Sequence, residues 1–119
     1  MGKLFNALND YKREKNDEIL EIIECELKKE INMIVCKIES FFRDDLYQEI
    51  LIDIPKLCNK FNFLSLEEIK KQHDFEEILE DFLLINNGEM EKEKFIIYYN
   101  EKNFVIILKV LAIKNLLIL

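Results

Sequence analysis

The sequence predicts a mainly α fold: a small bundle of three to five helices around one core, with a short C-terminal β-hairpin. Three observations predict it. Only two glycines and one proline occur in 119 residues, too few for the tight turns of an all-β protein. Half of the residues are hydrophobic and 34% are charged, enough for a real core under a solvated surface. Apolar residues recur at spacings of three and four through most of the chain. A chain of this length makes one domain, 1–119, and no Gly/Ser/Pro linker or internal repeat divides it.

The first helix is expected over Leu4–Lys12, with Leu4, Phe5, Leu8 and Tyr11 on one side. Asn16 reads as an N-cap, followed by Asp17 and Glu18 where the helix dipole favours acids. The second helix is the clearest. Leu20, Ile23, Leu27, Ile31, Ile34 and Ile38 form one stripe, continued by Phe41 or Phe42, in an amphipathic helix of about 22 residues. A break is expected around Ser40–Arg43. A third helix then runs from about Asp44 to Lys60, with Leu46, Ile50, Ile54, Leu57, Cys58 and Phe61 inward. Pro55 should kink or restart it near Asp53, because proline removes a backbone bond and crowds the preceding turn.

Ser65 with Glu68, and Asp74 with Glu77, each read as a capping box. The first opens a short helix with Leu66 and Ile69. The second opens a helix with Phe75, Ile78, Leu79, Phe82 and Leu83, which Asn86-Asn87-Gly88 ends through left-handed backbone. Phe95–Tyr99 and Phe104–Leu108 flank Asn100-Glu-Lys-Asn, the pattern of a hairpin with a four-residue loop. Periodicity fits strand or buried helix here, and the β-branched and aromatic enrichment favours strands. Phe104–Leu119 reads as core: Lys109, Lys114 and Asn115 interrupt it, and it is short for a membrane span.

Charge narrows the function classes. The net charge is −7, with 10 basic and 13 acidic residues over 1–60 and 7 basic and 11 acidic over 61–119. Neither half offers the Lys/Arg surplus of a protein that binds nucleic acid by counterion release. Acidity favours a basic protein partner. Cys25, Cys36 and Cys58 are odd in number and sit in apolar-patterned stretches, which reads as free buried thiols in a reducing cytoplasm. Paired metal spacings such as C-x-x-C are absent, so no metal or cofactor is expected. The start lacks the Ser/Thr of a myristoylation signal. Ile, Lys and Asn supply 44 residues and Ala only two, a bias typical of low-GC bacterial, phage or plasmid genomes.

No catalytic set is visible, and an enzyme is not expected. His73 is the only histidine and reads as a surface residue between two helices. Asp44/Asp45 and Glu76/Glu77 are adjacent pairs, which point about 100° apart on a helix and do not converge on one reacting atom. The only glycines are Gly2 and Gly88, so no phosphate loop exists. Lys12-Arg13-Glu14-Lys15 reads as a solvated loop.

The informative segment is Asp45-Leu46-Tyr47-Gln48-Glu49. With Leu46 at 0° on a helical wheel, Leu46, Ile50, Ile54 and Leu57 fall between about 0° and 80°. Asp45, Gln48, Glu49 and Ile52 fall between about −60° and −160°, facing out. Carboxylates, an amide and an exposed isoleucine on one face suit docking on an Arg-rich partner helix.

This Asp-Leu-x-Gln-Glu core resembles the motif in region 2 of bacterial sigma factors, most closely the extracytoplasmic-function group and the clostridial toxin-gene regulators. The short first helix, the Asn-Asp step and the long amphipathic helix precede it in similar order. The resemblance covers residues 1–62; residues 63–119 are divergent acidic helices and an apolar C-terminal segment. It implies a non-enzymatic, cytoplasmic transcription regulator whose Asp45, Gln48, Glu49 and Ile52 dock on the clamp coiled coil of RNA polymerase's largest subunit.

The second half departs from that pattern. Where the family has aromatic and basic residues that handle promoter DNA, Ser65–Phe82 carries seven acids against Lys70 and Lys71. A helix-turn-helix for the −35 element has no room, so the expected protein is truncated and direct DNA binding is not expected. The alternative reading is a small helical inhibitor or adaptor, phage- or plasmid-borne, whose acidic surface mimics nucleic acid. Neither reading sets an oligomeric state.

Overall fold

A computed structural model describes residues 2–118, with side-chain surroundings through Asn115. It contains six helices: α1 (Lys3–Arg13), α2 (Asp17–Val35), α3 (Ser40–Lys60), α4 (Leu66–Lys70), α5 (Phe75–Ile85) and α6 (Lys92–Ile118). The mainly α expectation holds. The hairpin does not: no strand occurs among the described residues, and Phe95–Leu108 lies inside one helix of 27 residues. No helix among them is long and apolar enough to cross a membrane.

α6 reads as strands in sequence because it is apolar on most sides, which erases the helical period. The structure shows why it can be. α6 is the spine against which all five other helices pack. Around its C-terminal half, Phe104, Leu108 and Ala112 join the buried residues of α1, α2 and α3 in the larger cluster. Around its N-terminal half, Phe95, Tyr98 and Tyr99 join Ile69 of α4 and Ile78 and Phe82 of α5 in a second cluster. The single core expected is therefore two, strung along one helix. Phe82 packs edge-on to Phe95, with ring centroids 5.4 Å apart. Of the Phe104–Leu119 stretch, Leu119 lies outside the described residues.

Local signals place most helix ends. The Asn16 side chain accepts from the Glu18 N–H at 2.7 Å. The Ser65–Glu68 capping box forms in both directions. Asn87 and Gly88 both adopt left-handed backbone, and the Gly88 N–H closes back on the Leu83 carbonyl at 2.7 Å. The Asp74 box does not form. Asp74 stands at the N-cap of α5, but its Oδ1 accepts the Tyr99 hydroxyl at 2.6 Å from α6. A buried phenol needs a partner more than an exposed helix start does.

Two boundaries differ from expectation. α2 ends at Val35 after 19 residues, and α3 begins at Ser40 rather than near Asp44. The break thus lies at residues 36–39, where the N–H groups of Lys37 and Ile38 tighten onto Ile34 and Val35. Arg43 holds this turn. Its Nε donates to the Ile38 carbonyl at 2.8 Å and its Nη2 to the Cys36 carbonyl at 3.3 Å. A guanidinium there satisfies orphan carbonyls at the negative end of α2. α3 runs unbroken through Pro55, without the expected restart. Ile54, Leu57 and Cys58 are buried on either side of it, and that packing offsets the lost backbone bond.

Candidate protein-docking face on the third helix

α3 is two-faced, as the helical wheel requires. Leu46, Ile50, Ile54, Leu57 and Cys58 are buried in the larger cluster. Asp45, Gln48, Glu49 and Ile52 are all exposed on the opposite side, and a single helix brings the four together over two turns. Ile52 is 52% exposed and belongs to neither hydrophobic cluster. Tyr47 of the same motif is half-buried and packs on the larger cluster, so it serves the fold. No ion pair among the described residues involves Asp44, Asp45 or Glu49. The face thus keeps its negative charge available to a partner.

Because α3 starts at Ser40, a fifth residue belongs to this face. Phe41 is 82% exposed, the ring standing edge-on to Phe42 with centroids 5.1 Å apart. Phe41, Asp45, Gln48 and Ile52 follow the i, i+4, i+7, i+11 spacing of one helix stripe. Sequence reasoning missed Phe41 because it treated the aromatic pair as the tail of α2. The same spacing would have placed it, had the helix start been known. Arg43 fixes that start by tying the turn before it.

Elsewhere the structure spreads chemistry-bearing side chains apart. His73 is exposed in the turn between α4 and α5. The expectation of three buried thiols is corrected: Cys25 on α2 and Cys36 at its C-cap are exposed, and only Cys58 is buried. Eleven residues separate Cys25 from Cys36, so both fall on the same outer side of α2, away from the Ile23–Leu27–Ile31 stripe. Burial pushes the Cys58 thiol up from 9.0 to about 12. Arg13 pairs with Asp10, and Lys12 lies over the Phe63 ring at 5.4 Å. No group of three His, Cys, Asp or Glu side chains among the described residues could hold a metal ion.

Between α1, α2 and α6 lies a cleft of about 440 Å³, lined by Glu26, Glu30, Glu101, Lys102 and Lys109 among others. Four of these five charges are used internally. Glu101 accepts the Phe5 N–H at the start of α1, Lys109 pairs with Glu30, and Lys102 with Asp81. Asp45, Gln48 and Glu49 of the α3 face have no such internal partner among the described residues. Comparison of the chain with known protein families, with curated proteins and with solved structures returns no match.

Proposed function

We propose that this chain is a non-enzymatic, cytoplasmic, sigma-region-2-like regulator that binds RNA polymerase through the outer face of α3. The supporting observation is the exposed stripe of Phe41, Asp45, Gln48 and Ile52, with Glu49 beside it, on the helix that carries the Asp-Leu-x-Gln-Glu motif. Two large apolar side chains within a field of carboxylates suit a partner helix that is itself basic and apolar, such as the clamp coiled coil of the largest subunit. Phe41 and Ile52 supply the desolvated contact, and Asp45 and Glu49 supply attraction and register. The acidic α4–α5 segment keeps promoter DNA outside this role.

The test is a titration of purified core polymerase with the wild type and with Gln48→Ala/Glu49→Lys. Reversing one carboxylate opposite an arginine exchanges attraction for repulsion. Binding by the wild type should weaken as salt rises, and the double variant should not bind while its circular dichroism stays unchanged. Absence of wild-type binding at low salt refutes the proposal. So does equal binding by a well-folded variant.

A further inference from the structure

The charge of this molecule is unevenly distributed along α6. Residues 75–93, which form α5 and the entry to α6, hold seven acids and one lysine. Residues 28–38 and 103–115, which form the end of α2 with the turn after it and the second half of α6, hold five lysines and one acid. Each of these oppositely charged regions carries exposed apolar side chains at its centre.

At the acidic end, Leu84 is 83% exposed and Ile85 stands beside it. Leu84 sits four residues after Glu80 and seven after Glu77, on the same outer face of α5, and both carboxylates are exposed. At the basic end, one face of α6 changes from covered to bare. Phe95 and Tyr99 are buried under α4 and α5, whereas Ile106, Val110 and Ile113 continue the same i, i+4, i+7 face uncovered. Met33 and Ile34 of α2 and Ile38 of the turn after it meet Ile113 there around a hollow of about 200 Å³, rimmed by Lys37 and by Lys109, which also pairs with Glu30. The hollow has room for an aliphatic side chain, and its rim has the sign opposite to that of the α5 tip.

We infer that this chain associates head to tail with a second copy of itself: the Leu84 tip of α5 enters the lysine-rimmed hollow between α2 and α6 of the next molecule. Charge complementarity selects this occupant. The two surfaces belong to opposite ends of α6, since α5 runs into the N-terminus of α6 and the hollow lies by its C-terminal half. One molecule cannot bring them together, because the 27 residues of α6 hold them apart. The contact is heterologous, so each copy keeps one free tip and one free hollow and can extend the chain. The α3 face plays no part, so this inference stands apart from the polymerase reading.

The test is sedimentation velocity on the whole protein over a range of concentrations, at low and high salt. The wild type should sediment faster as concentration rises, and less so in high salt. Leu84→Glu loses the tip and Ile113→Glu loses the hollow; each alone should remain monomeric with unchanged circular dichroism. Mixed in equal amounts they should form a dimer and nothing larger, because the intact tip of one fits the intact hollow of the other. If Ile113→Glu fails to fold, Lys37→Glu serves on the exposed rim. A wild type that stays monomeric at low salt overturns the inference. So does a mixture that stays monomeric, or a dimer that only one of the two substitutions affects.

Discussion

The carboxamide of Asn100 and the backbone of Leu64 bond to each other in both directions. Asn100 Oδ1 accepts the Leu64 N–H at 2.8 Å, and its Nδ2 donates to the Leu64 carbonyl at 3.1 Å. The same Nδ2 also donates to the Ile96 carbonyl one turn back, at 2.9 Å. Asn100 is the one fully buried polar side chain among the described residues, and it leaves no polar atom unmatched. It fastens the segment between α3 and α4 to the spine, at the junction of the two clusters.

Replacing Asn100 by alanine should therefore strand both the N–H and the carbonyl of Leu64. Each orphaned buried group costs about 1–3 kcal/mol, so a loss of about 2–5 kcal/mol is expected in a denaturant titration. An unchanged midpoint would show that water or a shifted loop takes over these bonds.

The helical character of α6 has its own test at Lys102. In a hairpin, residue 102 would occupy the loop and tolerate proline. In α6 it lies mid-helix, where proline removes a backbone bond and crowds the preceding turn. Lys102→Pro should cost about 3 kcal/mol or more and lower the helical circular dichroism signal. A variant as stable as the wild type would contradict a continuous α6.

Leu27 lies at the centre of the α2 stripe and is fully buried. Leu27→Ala should destabilise the fold by about 2–5 kcal/mol, a large share of the total for a small protein. A melting temperature within a degree or so of the wild type would mean that the stripe does not face the core.

Thiol labelling should separate the three cysteines. Cys25 and Cys36 are open to solvent, and Cys58 is buried with its thiol held protonated. A disulfide reagent at neutral pH should modify two thiols rapidly in the native protein and the third only as it unfolds. Three fast thiols, or one, would contradict the packing of α2 and α3.

Stability should fall on the alkaline side. Burial, reinforced by the neighbouring Asp74 carboxylate, raises the Tyr99 phenol above its ordinary 10.0, and burial raises Cys58 from 9.0 to about 12. In the unfolded chain both groups release protons at their ordinary values, while in the fold they hold them longer. The stability they contribute is thus complete below about pH 9 and is lost as pH rises toward the folded values. Thermal melts at rising pH should show this decline, and it should be shallower in Tyr99→Phe and in Cys58→Ala. Equal slopes in all three proteins would dissociate these groups from the effect.

What the sequence determined by itself lies within a few residues along the chain. The α2 stripe, the Asn16 cap, the Ser65–Glu68 box and the Asn87-Gly88 stop are all local, because a helix brings residues three and four apart together whatever surrounds it. The outward set Asp45, Gln48, Glu49 and Ile52 was legible for the same reason: a helix with one clear apolar stripe has its opposite face assigned. Only the tertiary structure decided the rest. Asp74 leaves its capping role for Tyr99, 25 residues away; Leu64 pairs with Asn100, 36 away; and Asp53 accepts from Asn115, 62 away, tying α3 to the end of α6. α6 is the extreme case. Its apolar residues face neighbours on several sides, so no single face shows in the sequence, and strand and helix become distinguishable only once the surrounding helices are in place.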